Sequence, residues 1–346
     1  MVTDRAVRLL PTKLQDFYWA NRNILIELCV QPDLRKDSDP SEGPKHYIDL
    51  EQYPPNVPTT CDKAVERFGM KKLSDSGWAP WNTQRVYAQT VDAFRRKDYP
   101  AILRMSGDLS HYVADMHVPL HTTENFDGQL TRDTGIHARW ESRLVEQYPE
   151  VFPFEPRPAE LIHDVPSKIW AIILASSTEI NGVIHADRQN AYDDRASDGY
   201  SIVRARQTHA PIAARRMNDA AQAVASFWYT AWVESGRPAL AGVDFSALVK
   251  PIPAPSGDAV FYEGQFMSTI PMSWPLSVRE AVRRIGDYLR LETKVRLAKV
   301  TWTVLSGEPR IRVSVLETVG SVNQEESEKV LKRLIVGAQI KFRVED

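Results

Sequence analysis

Residues 111–141 read HYVADMHVPLHTTENFDGQLTRDTGIHARWE, and this stretch decides how the chain folds and what it can hold. Four of the eight histidines fall inside it: His111, His117, His121 and His137. His111 and Asp115 are four residues apart, so on a helix both project from one face. His137 and Glu141 repeat that spacing on a second expected helix. Pro119 cannot continue a helix, so it is expected to end the first one and deliver His121 into the following turn. A helical histidine is ordinarily buried and hydrogen-bonded. Two His-x-x-x-carboxylate pairs with a turn histidine between them instead crowd nitrogen and oxygen donors onto one surface, an arrangement that wants a cation. Imidazole and carboxylate suit zinc, and rigid helices can hold more than one ion. His117 lies two residues past Asp115 and faces away from it, at the surface or behind the ligands. His163, His185 and His209 have no carboxylate at useful spacing on their expected helices and read as structural.

Working outward, apolar residues Leu14, Phe17, Tyr18, Ile24, Leu25 and Leu28 recur at helical spacing and predict one helix over 10–30, ended by Pro32. The loop that follows, PDLRKDSDPSEGPKHYIDLEQYPP, carries Asp33, His46 and Asp49, and loops on helical scaffolds are frequent site positions. Further helices are predicted over 61–68 (capped by Thr59 or Thr60), from Pro80 or Trp81 to Arg96, from Tyr99 to Asp115, and over 137–147, 166–192 and 209–235. Phe227, Trp228, Tyr229 and Trp232 on the last of these read as core packing.

At 346 residues the chain exceeds one ordinary core. The expected organisation is mainly α: an all-helical domain over 1–240, a proline-rich linker over 241–274, and a small α+β domain over 275–346. In the last, Val278 to Leu289 marks a helix, Val295/Leu297 and Ile311/Val313/Val315 alternate as strands around Ser306-Gly307, and a helix at 325–335 precedes a strand at 340–344. It holds no ligand cluster and no phosphate-binding loop. Hydrophobic content of 43% and charged content of 25% are those of an ordinary globular protein. A net charge of −2 does not by itself call for a nucleic-acid partner. Cys29 and Cys61 are too few for a disulfide framework; free buried thiols are favoured over a pair. No uninterrupted apolar run is long enough to span a bilayer, and the sequence as given has no signal peptide.

With these residues in place, the pattern over about 1–238 resembles the zinc-dependent phospholipase C and single-strand-specific nuclease superfamily. Its motif is a histidine, an aspartate four on, Pro-Leu-His closing the helix, then His-x-x-x-(Asp/Glu). Here these are His111, Asp115, Pro119-Leu120-His121, and His137 with Glu141. The upstream His-(Phe/Tyr)-x-Asp element is His46-Tyr47-Ile48-Asp49, preceded by Asp33. The resemblance implies an all-helical fold with Asp33, His46, His111 and Asp115 on one zinc and His121, His137 and Glu141 on a second. It implies hydrolysis of a phosphodiester by water activated between the zincs, with Asp33 orienting or deprotonating that water. Tyr47 and Asp49 would bind substrate, either phospholipid or single-stranded nucleic acid. The short link from His121 to His137, and Glu141 in place of aspartate, look more like the phospholipase branch.

Family members hold a third zinc with an N-terminal tryptophan and a histidine just before a Val-Asn-Arg-Ala-like segment. Here that segment corresponds to Val2-Thr3-Asp4-Arg5-Ala6, so the third-site ligands would lie before Met1. The expectation is an upstream start with a signal peptide and a secreted or periplasmic protein. Two zincs are expected from the chain as given, and a third in a longer form. The competing expectation is a metal-binding protein that has lost turnover along with the third site.

Overall fold

The computed structural model describes residues 1–36, 39–147, 152–189, 207–240, 257–262, 265–266, 276–305, 308–335 and 339–345. The chain divides into two compact units, Met1–Val249 and Lys250–Asp346. It is mainly α, as the periodicity predicts, with a small α+β unit after it.

The first unit is built around a helix, Tyr99–Asp115. Its start is fixed by Asp98, whose carboxylate accepts the Ala101 N–H at 3.0 Å. Ile102, Leu103, Leu109, Tyr112 and Val113 are buried along it. Ser106, Gly107 and Ser110 let neighbouring helices come close. Tyr18 hydrogen-bonds the Ser106 hydroxyl at 2.7 Å, and the Trp228 indole donates to the Ser106 carbonyl at 3.1 Å. Tyr18 and Trp228 themselves stack, centroids 4.7 Å apart and 8° from parallel. The aromatic cluster on the long helix Ala210–Glu234 is therefore core, Phe227 and Trp228 being fully buried. Around the central helix pack Val2–Arg8, Arg22–Leu28 and Ala79–Arg96.

Several boundaries differ from the sequence expectation. The helix expected over 10–30 is two, Thr12–Ala20 and Arg22–Leu28. Asn21 breaks it by donating its side-chain amide to the Phe17 carbonyl at 2.8 Å, competing with the helical ladder. Pro32 does not end a helix but opens one, Gln31–Arg35, so Asp33 stands on a helical turn and not on a loop. The helix from Cys61 runs on to Ser76 with a non-helical break at Gly69. Pro119 is not the residue that stops the central helix, which closes at Asp115. The proline instead holds Val118 extended and starts a 3₁₀ turn, Pro119–Thr122, that carries His121. The segment expected as one helix over 166–192 is Val165–Ser177 and Ile180–Arg188; residues 190–192 lie outside the described residues. The stretch Val165–Arg188 as a whole is long and apolar enough to cross a membrane, although Lys168 and Glu179 interrupt it and Ile169, Ile172, Ile173 and Val183 face the core. Cys29 and Cys61 are free and half-buried.

The second unit contains a sheet in the order β2-β1-β3-β4-β5: Gln265–Phe266, Gly257–Tyr262, Val295–Leu305, Glu308–Thr318 and Gln339–Val344. All neighbours are antiparallel except β4 and β5. Two strands thus fall inside the stretch expected to be linker. A register shift near Leu297 moves the inward row of β3 to Ala298, Val300 and Trp302. These pack with Ile311, Val313, Val315 and Phe342 beneath the helices Leu276–Glu292 and Gln324–Leu334.

Gly107 marks a close helix crossing in the first unit. A Cβ there would meet the Leu28 Cβ at 2.7 Å and the Leu28 carbonyl carbon at 3.0 Å. Gly107→Ala should therefore destabilise the protein by about 1–3 kcal/mol, read as a lowered denaturant midpoint with an unchanged slope.

Candidate metal centre

The central helix supplies the fixed half of the site. His111 and Asp115 lie in its last turns, and the His111 Nδ1 donates to the Cys29 carbonyl at 2.8 Å. That contact depends on the close crossing at Gly107, and it leaves the Nε2 lone pair free to ligate. His46 comes from a turn after the 3₁₀ segment Gly43–Lys45. This turn is pinned on both sides: Ile48 N–H donates to the His121 carbonyl at 2.9 Å, and Ala79 N–H donates to the Tyr47 carbonyl at 3.1 Å. Gly77, at φ 74°, permits the contact, since a Cβ would sit 2.3 Å from the Tyr47 carbonyl oxygen.

Asp33, His46 and His111 converge into one group able to hold a metal ion, and His121, His137 and Glu141 into another. In the first, His46 Nδ1 lies 3.0 Å from His111 Nε2, and Asp33 Oδ1 lies 3.8 and 3.6 Å from those two atoms. In the second, His121 Nε2 and His137 Nε2 are 3.2 Å apart, and Glu141 Oε2 is 2.6 Å from the latter and 3.6 Å from the former. Two ligands about 2.0–2.1 Å from a tetrahedral ion are roughly 3.3 Å apart. The donor spacings scatter around that value, so the residues fit a small divalent cation. Asp115 stands between the groups. Its Oδ2 is 2.9 Å from His46 Nδ1 and 3.3 Å from His111 Nε2, while its Oδ1 is 3.7 Å from His121 Nδ1.

The second group rests on a different local structure. After Gly135, Ile136–Ala138 is α-helical, Arg139–Arg143 makes a π turn, and Leu144–Gln147 resumes the α-helix. The expected single helix over 137–147 therefore contains a wide turn, a feature frequent at functional sites. Arg139 anchors it through a two-pronged ion pair to buried Asp187, at 2.9 and 2.6 Å. His209, edge-on to Trp140, lies 3.6 Å from the same carboxylate, a structural place. The His137 and Glu141 side chains are 26% and 36% exposed and that of Asp33 is 41% exposed, against 3% for His46, so solvent reaches the centre at the second group and at Asp33. An apolar cavity of about 270 Å³, bounded by Val2, Trp140 and Met217, adjoins Asp115 and Glu141.

The charges of the ligands are strongly coupled. Burial opposes protonation of His111, but the Asp115 carboxylate, with Asp33 beyond it, raises its pKa to about 9. Burial would raise Asp115, yet His111, His46 and His121 hold it well below the usual carboxylate range. Glu141 is likewise lowered by His121 and His137 against its burial. His137 is raised, its burial outweighed by Glu141.

The remaining candidates lie outside both groups. Tyr47 and Asp49 share the pinned segment. Asp49 is raised to about 6 by burial and by Glu51 and Glu124. Glu51 accepts the Thr123 hydroxyl and the Glu124 N–H, so an acidic wall flanks the turn that carries His121. His117 is buried, not at the surface: its Nδ1 donates to the Val113 carbonyl at 2.7 Å, and its own carbonyl accepts from Arg216. His163 and His185 are exposed, His163 at a bend before the helix Val165–Ser177, so neither has the structural role expected. Sequence reasoning missed the buried Glu42, four residues before His46, which the spacing rule would have flagged. It also missed Arg35, Asp108 and Tyr112 around Glu42, which no local pattern joins.

No known family model matches the chain, and no curated protein matches it either.

Because His111 carries a proton below about pH 9, its Nε2 must lose that proton to ligate. Loading the metal-free protein with zinc at pH 7 should release at least one proton per molecule, seen with an indicator dye in weakly buffered solution. Affinity should fall as pH is lowered.

Proposed function

We propose that this protein is a zinc-dependent hydrolase of phosphodiesters. The observation that carries the reading is the pair of adjacent His/carboxylate groups with Asp115 between them. Nitrogen and oxygen donors at these spacings favour zinc over the hard, all-oxygen ions. When bound, paired zinc supplies Lewis acidity and brings the pKa of water near neutrality. The likeness of His46-Tyr47-Ile48-Asp49 and of 111–141 to the phospholipase C and nuclease pattern points the chemistry to phosphorus.

The chain's own residues divide the work. His46, His111 and Asp115 hold the buried group, and His121, His137 and Glu141 the more open one. Asp33, 41% exposed at its side chain, is the ligand placed to take a proton from the attacking water. Lys36 donates to Asp33 Oδ1 at 2.7 Å and keeps that carboxylate oriented. The resemblance gives Tyr47 and Asp49 the substrate contacts. The acids Asp49, Glu51 and Glu124 beside the turn that carries His121 disfavour a polyanion and support a phosphodiester with a neutral or cationic head group, such as a phospholipid, over single-stranded nucleic acid.

The test supplies zinc-loaded protein with phosphatidylcholine vesicles, single-stranded DNA and a chromogenic phosphodiester. Hydrolysis that a chelator abolishes and zinc restores is expected, faster on the lipid. His137→Ala should lower the rate by roughly a hundredfold or more, given the several kcal/mol a metal contributes. Two bound zincs without hydrolysis of any of the three would favour a metal-binding protein without turnover.

A further inference from the structure

Glu42 is 1% exposed and lies among polar groups drawn from three parts of the chain. Its Oε2 accepts from Lys45 at 2.6 Å. Its Oε1 accepts the Tyr112 hydroxyl and lies 3.3 Å from the Arg35 guanidinium. Arg35 in turn makes a two-pronged pair with Asp108, at 3.1 and 3.0 Å, and donates to the Tyr112 oxygen at 3.1 Å. The same Oε1 is 3.6 Å from His46 Nε2, a buried nitrogen with no hydrogen-bond partner.

Each participant sits beside a ligand. Arg35 shares the short helix Gln31–Arg35 with Asp33. Asp108 and Tyr112 flank His111 on the central helix, and Glu42 and Lys45 precede His46. The knot therefore ties together the three segments that form the first group.

Its effect on His46 is electrostatic. A nitrogen lone pair facing a buried carboxylate is repelled, whereas an N–H is attracted. With the hydrogen on Nε2, the Nδ1 lone pair points at Asp115, His111 and Asp33. Carboxylates that fix a ligating imidazole in this way commonly contribute 10–100-fold in metal affinity.

We infer that Glu42 is a positioning residue for the first metal group, setting the His46 tautomer so that Nδ1 ligates, with Arg35 and Tyr112 holding Glu42 in place. The inference rests on the metal-site reading above.

Zinc would be titrated into wild-type protein and Glu42→Gln in competition with a chromophoric chelator. A selective weakening of one of the two sites by about 10–100-fold, with the other within about twofold, is expected. Equal weakening of both sites, or of neither, overturns the inference, because a merely structural role would not separate them. Should Glu42→Gln fail to fold, Tyr112→Phe removes one support of Glu42 and should weaken the same site by a smaller factor; no selective loss would count against the idea. In zinc-loaded wild type, nitrogen NMR of the His46 ring should show Nδ1 ligated and Nε2 protonated; ligation through Nε2 overturns the inference without any variant. Wild-type protein that binds no zinc would overturn the site reading itself, whereas two bound zincs with His46 ligated through Nε2 would overturn this inference alone.

Discussion

The first unit depends on the Asp115 carboxylate, buried where three imidazoles face it within 2.9 to 3.7 Å. A carboxylate taken out of water is costly unless its charge is met. Without a metal, a proton on His111 meets it, and His111 holds that proton up to about pH 9. A divalent cation would meet the same charge with the imidazoles neutral. Protonation and metal binding are thus two solutions to one problem, and they exclude each other at His111.

Holding this charge arrangement in place requires a scaffold that does not yield. The central helix provides it through close packing: Gly107 admits Leu28, and this brings the Cys29 carbonyl onto the His111 ring. Across the centre, the turn at His46 is pinned by backbone hydrogen bonds from Ile48 and Ala79, and by the absence of a side chain at Gly77. The second group is held less deeply. Its π turn is anchored by Arg139 to Asp187, and two of its ligands remain partly exposed. His46, His111 and Asp115 have the character of a fixed support, while Asp33, His137 and Glu141 stay open to solvent. Among the described residues, both metal-capable groups belong to the first unit, and the sheet unit contributes to neither.

The helical character of the first unit, the central helix from Tyr99 to Asp115, and five of the donors were legible in residues 111–141 because helical spacing is a local property. Chain breaks were less so. Asn21 divides a helix through its own side chain, and a π turn widens the helix after Gly135, while the apolar periodicity continues undisturbed across both. The shifted row on β3 was hidden for a related reason: a bulge changes which residues face inward without changing their composition.

By itself the sequence determined that His111 and Asp115 would share a helical face, since the α-helix repeat brings residues four apart together, whereas His137 and Glu141 meet across a π turn that the spacing did not show. It also determined, through Pro119, that His121 would sit on a turn of its own, although the helix that carries His111 closes earlier, at Asp115. The tertiary structure alone decided that Asp115, beside His46 and His111, also faces His121 of the other group, and that Arg35, Glu42, Asp108 and Tyr112 form a knot behind His46. The physical reason is distance along the chain. Asp108 and Arg35 are 73 residues apart, and what joins them is the need of buried charges for partners, which is satisfied only once the helices have packed.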